Sequence, residues 1–128
     1  MSLLIDTSIL IRQQKGDASV KRELNLLSKR FPETPAVTFM NVFEYLIGIQ
    51  AAKRKPEATK ILENFITINT TERTSEIMAS IKSNYDKKGI LFSLADLIIA
   101  CLAIENGMTL LTSDADFKKI EELKVMFI

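Results

Sequence analysis

The sequence predicts an α/β protein, a central parallel sheet of four to five strands flanked by helices, and three observations carry that prediction. Short apolar runs of strand character alternate with longer runs of helical period along the 128 residues, the pattern of a parallel sheet covered on both faces. The segment from Ile90 to Ile104 is a helix with apolar residues on every side, as expected of one buried nearly all round. Asp6, Glu44 and Asp96 each stand as the only charge in an otherwise apolar stretch. An ionised carboxylate taken from water without a partner is costly, so it shifts its pKa, pairs with a base or binds a cation. None of the three stretches contains Lys or Arg.

Taken in order, Ser2 to Ile5 is a strand ending at Asp6, with Thr7 and Ser8 as capping residues before Ile9-Leu10-Ile11. Asp17 begins an amphipathic surface helix to about Lys29, with Val20, Leu24 and Leu27 on one side. Pro32 and Pro35 break the chain, Ala36-Val37-Thr38 is a second strand, and Thr38 or Asn41 caps the helix that carries Glu44. Phe39, Val42, Phe43, Leu46, Ile47 and Ile49 give that helix its apolar bulk. Lys53-Arg54-Lys55 marks a turn, and Pro56 suits the first position of a helix through Phe65. Ile66-Thr67-Ile68 alternates as a strand, and Thr71 starts a long helix to about Lys88 with Ile77, Ile81 and Tyr85 on one face and Gly89 as its stop. Ser93 caps the apolar helix with Asp96 at its third position and Gly107 beyond its end. Met108 to Thr112 is a strand, Ser113 to Phe117 a turn into a short helix, and Val125-Met126-Phe127 a last strand.

In parallel sheets, ligands bind beyond the carboxyl ends of the strands. Asp6 and Asp114 follow strands, Glu44 lies in an early helical turn and Asp96 opens a helix, so all converge on one edge. The economical reading is that these acids meet around one divalent cation.

Composition narrows the chemistry. The chain has no histidine, which excludes a Ser-His-Asp triad, a His-paired cysteine nucleophile and the usual zinc sites. Oxygen-only ligands point to Mg2+ or Mn2+. Cys101 is the single cysteine and lies on the apolar helix, so it reads as a buried thiol. Neither a GxGxxG nor a Walker loop is present. With 47% hydrophobic and 26% charged residues, no apolar run long enough for a membrane span and no secretory signal, residues 1–128 are expected to form a single domain in the cytoplasm. The net charge is +1, yet if five of the 16 acids serve a cation site, 17 basic residues face 11 acids elsewhere. The basic clusters are Lys21-Arg22, Lys29-Arg30, Lys53-Arg54-Lys55, Lys87-Lys88 and Lys118-Lys119, each of which reads first as a solvated face and second as an RNA-backbone contact.

Four stretches, LLIDTSIL around Asp6, AVTFMNVFEYLIG around Glu44, SLADLIIACLAIENGMTLLT around Asp96 and TSDADF followed by ELKV, resemble in order and spacing the PIN-domain nucleases, and among them the small VapC-like toxin ribonucleases. The resemblance implies a PIN-like three-layer domain and an endoribonuclease dependent on Mg2+ or Mn2+. It also implies a homodimer and a partner antitoxin encoded alongside. A cation held by Asp6, Asp96 and Asp114 would activate water, with Glu44 positioning that water or a second ion. Ser8 stands where many relatives carry Asn. Both Asp114 and Asp116 are acidic in the last motif: Asp114, directly after the strand, is the expected ligand, and Asp116 either holds a water or caps the short helix. Thr7, Ser8, Thr112 and Ser113 are expected to orient the carboxylates or touch a phosphate, with capping as the competing role. The substrate is expected to be single-stranded or looped RNA, cut to leave a 3′-hydroxyl and a 5′-phosphate.

Two other functions compete. A metal-dependent phosphohydrolase of small phosphoesters needs the same acids, but the DxD of the common Asp-nucleophile phosphatases is missing, because Ser8 follows Asp6 at that spacing. A non-catalytic PIN-like binding module would keep the fold without turnover, and the presence of all the acids argues against it. The faces Val20–Leu27 and Glu57–Phe65 are the expected dimer surfaces.

Overall fold

The computed structural model describes residues 2–52 and 55–128, with the side chains of residues 51–58 outside that description. Lys53, Arg54 and the side chains of Lys55, Pro56 and Glu57 lie outside that description. Five strands, β1 (Leu3–Ile5), β2 (Ala36–Thr38), β3 (Ile66–Ile68), β4 (Thr109–Thr112) and β5 (Val125–Phe127), form one sheet in the order β3-β2-β1-β4-β5, and every pairing is parallel. The chain winds outward from β1 to β3, then returns to place β4 on the other side of β1. The direction of winding therefore reverses between β1 and β4, the position at which an open parallel sheet leaves a crevice at its carboxyl edge.

Six helices cover the sheet: α1 (Thr7–Gln14), α2 (Ala18–Arg30), α3 (Phe39–Ala52), α4 (Lys55–Leu62), α5 (Glu72–Lys87) and α6 (Leu94–Glu105), with a 3-10 helix at Ala115–Lys119. Alternation along the strands sorts the core into two layers. Leu3, Ile5, Val37 and Leu111 pack with Ile9, Leu10, Val20, Leu27, Tyr45 and Ile49 on one face. Leu4, Ala36 and Leu110 pack with Ile99, Ala100, Ala103, Phe117 and Ile120 on the other. A third cluster of Ile81, Tyr85, Leu97 and Cys101 fastens α5 to the back of α6. Burial, with Glu105 and Glu122 adding to it, pushes the Cys101 thiol up to about 11, so it is protonated and inert.

The segment from Leu97 to Ala103 is buried at seven consecutive positions, which confirms α6 as the central helix. Its first residue departs from expectation: Leu94 is 66% exposed, because it stands at the open edge of the sheet ahead of the packed turns. The helix stops as Gly107 adopts φ 63°, which lets Met108 N donate to Ala103 O at 2.9 Å and Gly107 N to Ile104 O at 3.2 Å, a Schellman closure. The expected dimer faces are not free. Val20 and Leu27 are buried in the chain's own core, and Phe65 packs partly against it. Leu26 of α2 is exposed (59%), and the other apolar side chains left outside include Phe43 (57%) and Ile47 (58%) on α3.

Candidate metal centre at the carboxyl edge of the sheet

β1 ends one residue before Asp6, which has extended backbone angles and precedes α1. That position would suit a helix cap, but the carboxylate makes no capping bond. It is only 5% exposed and points into a ring of donors: Oδ1 accepts from Asn41 Nδ2 at 3.2 Å, and Oδ2 from Thr112 Oγ1 at 2.7 Å and Ser8 Oγ at 3.0 Å. Thr7 and Ser8 are thus not capping residues. They form the first turn of α1, and Thr7 Oγ1 donates to Glu44 Oε1 at 2.8 Å.

Asn41 joins the two sides of this network. Its Oδ1 accepts from Thr38 N and Thr38 Oγ1, and its own backbone N donates to Thr38 Oγ1, a reciprocal cap that starts α3. With its acceptor fixed in that way, Nδ2 is aimed at Asp6 Oδ1 and Thr7 Oγ1. Asn41 is fully buried and orients one acid directly and Glu44 through Thr7. The sequence reading gave it only the capping role. A polar amide three residues before Glu44 in an apolar run is the signal that could have marked it.

A second group of acids faces this network. One carboxylate oxygen from each of Asp96, Asp114 and Asp116 lies within 4.8 Å of the others. Ser93 Oγ accepts from Asp96 N at 3.1 Å and fixes the first turn of α6, so Asp96 sits at the third helical position as expected. Asp114 Oδ1 caps the 3-10 helix by accepting from Asp116 N at 2.9 Å, and Asp116, the most exposed of the three, also pairs with Lys119 at 3.5 Å. The Asp114 backbone is tied to the first network, since its N donates to Thr112 Oγ1 at 3.0 Å. Ser113 contributes its backbone N to Ser8 Oγ at 3.1 Å, while its hydroxyl turns away toward Arg12 and Ile128.

Electrostatics links the two groups. The Asp96 carboxyl is pushed up to about 6 from 3.8, first by burial, then by the charge of Asp114 and further by Asp6 and Glu44, with the Ser93 hydroxyl opposing. Asp6 and Glu44 are therefore close enough to act on Asp96, although the tightest group is Asp96, Asp114 and Asp116. Among the described residues, no ion pair is formed by Asp6, Glu44, Asp96 or Asp114. Two ionised carboxylates at the outer limit of 4.8 Å repel by roughly 3 kcal/mol at an effective dielectric of about 20. A hard divalent cation relieves that repulsion, and carboxylate oxygens are the donors it takes. The residues present fit such an ion.

The sequence pattern described as "PIN domain" matches residues 3–123. The chain is 30% identical to a protein from Rickettsia bellii named Ribonuclease VapC, over 100% of this chain and 97% of the relative. Among solved structures, it resembles the VapBC2 structure from Rickettsia felis bound to a DNA fragment from the promoter, with a TM-score of 0.90 at 22% identity over 100% of this chain and 99% of that one. It also resembles a toxin-antitoxin complex from Klebsiella pneumoniae, with a TM-score of 0.78 at 25% identity over 98% and 96% of the two chains.

Proposed function

Since the chain belongs to the PIN domain family, we propose that it is an endoribonuclease dependent on Mg2+ or Mn2+, acting on single-stranded or looped RNA as the toxin of a toxin-antitoxin pair. The observation that carries this reading is the meeting of Asp96, Asp114 and Asp116 within 4.8 Å at the carboxyl edge, beside the donor-held Asp6. Asp96 and Asp114 would hold the cation, with Asp6 behind them as the third charge and Asp116 as a further oxygen donor at the open side. A cation there supplies Lewis acidity, lowering the pKa of a bound water and drawing charge from a phosphoryl oxygen. Glu44 has one oxygen fixed by Thr7 and uses the other to orient the attacking water. Thr112, Ser8 and Asn41 hold the Asp6 carboxylate in place, so the acids need little rearrangement during turnover.

The test is cleavage of a fluorogenic single-stranded RNA with Mg2+, with Mn2+ and with EDTA, beside a simple phosphate monoester. Metal-dependent RNA cleavage leaving a 5′-phosphate is expected. Cleavage that survives EDTA, or hydrolysis of the monoester alone, rejects the reading.

Partners follow from the relatives. The solved neighbours are toxin-antitoxin complexes, and the proposed partner here is an antitoxin encoded in the adjacent reading frame. A homodimer is also proposed, with Phe43 and Ile47 of α3 as the apolar surface it would cover. Sedimentation of the wild type and of Phe43→Ser/Ile47→Ser tests this, and a wild-type monomer at tens of micromolar rejects it. No helix among the described residues is long and apolar enough to cross a membrane.

A further inference from the structure

Arg12 lies on α1, away from the carboxylates, yet its guanidinium meets four acceptors drawn from distant parts of the chain. Nε donates to Asp17 Oδ2 at 2.9 Å, Nη2 to Ser19 Oγ at 3.2 Å, and Nη1 to both Ser113 Oγ and Ile128 O at 2.8 Å. Asp17 is itself immobilised as the cap of α2, accepting from Ser19 N and Val20 N. The guanidinium is therefore oriented from behind and its charge is matched there. What it presents toward the site is a fixed pair of hydrogen-bond directions.

We propose that Arg12 is a positioning residue for the acidic cluster: it holds the Ser113–Asp114 segment against α1 and thereby sets how tightly the cluster binds a divalent cation, without touching cation or RNA. This rests on the metal-centre reading above. The segment is fastened at three points. Ser113 N donates to Ser8 Oγ and Asp114 N to Thr112 Oγ1, and both of those hydroxyls also donate to Asp6 Oδ2. The third point is the Ser113 hydroxyl, which accepts from Arg12 and donates to Ile128 O at 3.0 Å. Only this third point draws on residues outside the acid network. The 3-10 helix that follows is five residues long and too short to fix Asp114 on its own. Lysine cannot replace the contact, because a single ammonium lacks the planar fork that reaches Asp17 and Ser113 together.

The experiment uses the full chain and the variants Arg12→Gln, Arg12→Lys, Ser113→Ala, the Arg12→Gln/Ser113→Ala double and, as a control on the exposed face of α2, Ser28→Ala. Mn2+ affinity is measured by calorimetry, and amide hydrogen exchange at Asp114 is measured without metal. Arg12→Gln, Arg12→Lys and Ser113→Ala should each weaken Mn2+ binding on the order of tenfold, the size of effect seen when the support of a metal ligand is lost. The double variant should be no weaker than the worse single, because the two residues act through one contact. Asp114 exchange should accelerate in Arg12→Gln while Leu110, inside β4, does not change, and Ser28→Ala should bind Mn2+ as wild type does. Arg12→Gln that lowers Tm but leaves Mn2+ affinity and Asp114 exchange unchanged overturns the proposal, as does full rescue by lysine or additivity in the double variant. If wild type binds no Mn2+, the metal-centre reading falls, and unchanged Asp114 exchange in Arg12→Gln then overturns the positioning role separately.

Discussion

Asp6 and Asp96 are both acids at the carboxyl edge of one sheet, and the fold treats them in opposite ways. Asp6 is enclosed by three side-chain donors from α1, α3 and β4, so its charge is compensated by protein dipoles before any ligand arrives. Asp96 faces Asp114 and Asp116 with no cationic partner among the described residues, and burial and its acidic neighbours raise its pKa. One side of the site is finished by folding, and the other leaves carboxylates facing one another, as the proposed cation would require. Buried acids in a single site can thus differ in sign in their effect on stability, and local donor count decides which sign applies.

The strongest way to break this contrast is Asp6→Ala. It would leave the Asn41 amide and the Ser8 and Thr112 hydroxyls without their acceptor, and is expected to destabilise the metal-free protein by about 3 kcal/mol. Denaturant unfolding measures it, and a stabilised variant would show that charge repulsion outweighs those bonds. Asp96→Asn should move the other way. Relief of like charge at a partly exposed group, discounted for solvent screening, is expected to stabilise the metal-free protein by about 1 kcal/mol, while RNA cleavage falls by about 100-fold or more. Mn2+ should raise the Tm of wild type and have little effect on the variant. An unchanged metal response in Asp96→Asn would reduce Asp96 to a helix-terminal residue.

The same comparison can be sharpened with pH. The folded pKa of Asp96, about 6, lies above its ordinary 3.8, so the folded protein holds the extra proton between those values and stability falls as pH rises through about 6. Metal-free wild type should lose stability relative to Asp96→Asn between about pH 4 and pH 7, with the difference level above and below that window. Melting curves of both proteins across the range measure it. The smallest effect belongs to Asp116→Asn. Asp116 is exposed and already paired with Lys119, so stability should change by no more than about 0.5 kcal/mol. A change as large as that of Asp96→Asn would place Asp116 among the inner ligands.

The sequence made one side of the site more legible than the other. A lone acid in an apolar run is visible without coordinates, and Asp6, Glu44 and Asp96 stand out that way, whereas Asp114 stands out by directly following a strand. The parallel sheet and its five strands were legible from alternation of period, since each strand and helix has a local signature. What compensates Asp6 was legible only in part: Ser8 and Thr112 were expected to orient a carboxylate or touch a phosphate, but Asn41 read only as a cap. Thr112 and Asn41 reach it across 106 and 35 residues, and no periodicity carries a contact of that span. Thr7 and Ser8 read as caps because hydroxyls before an apolar helix usually are. Here Asp6 takes the capping position and the hydroxyls serve the acids instead. Val20 and Leu27 of one expected dimer face are buried for a related reason: amphipathic pattern shows that a face is apolar, but not whether the chain's own core already covers it.

The register of β1 sets an order on the making of the molecule. Leu3, Leu4 and Ile5 pair with Thr109, Leu110 and Leu111, so the first strand waits for nearly the whole chain before its second neighbour exists. A growing chain that has emerged only through α5 contains Asp6 and Glu44, but lacks Thr112 to compensate the first and Asp96, Asp114 and Asp116 to face them both. Chains grow from the amino end at about 5–20 residues per second, so for several seconds of synthesis the half-made protein holds two acids and no centre. Whatever the finished centre cuts, a truncated product of the same message would not cut it.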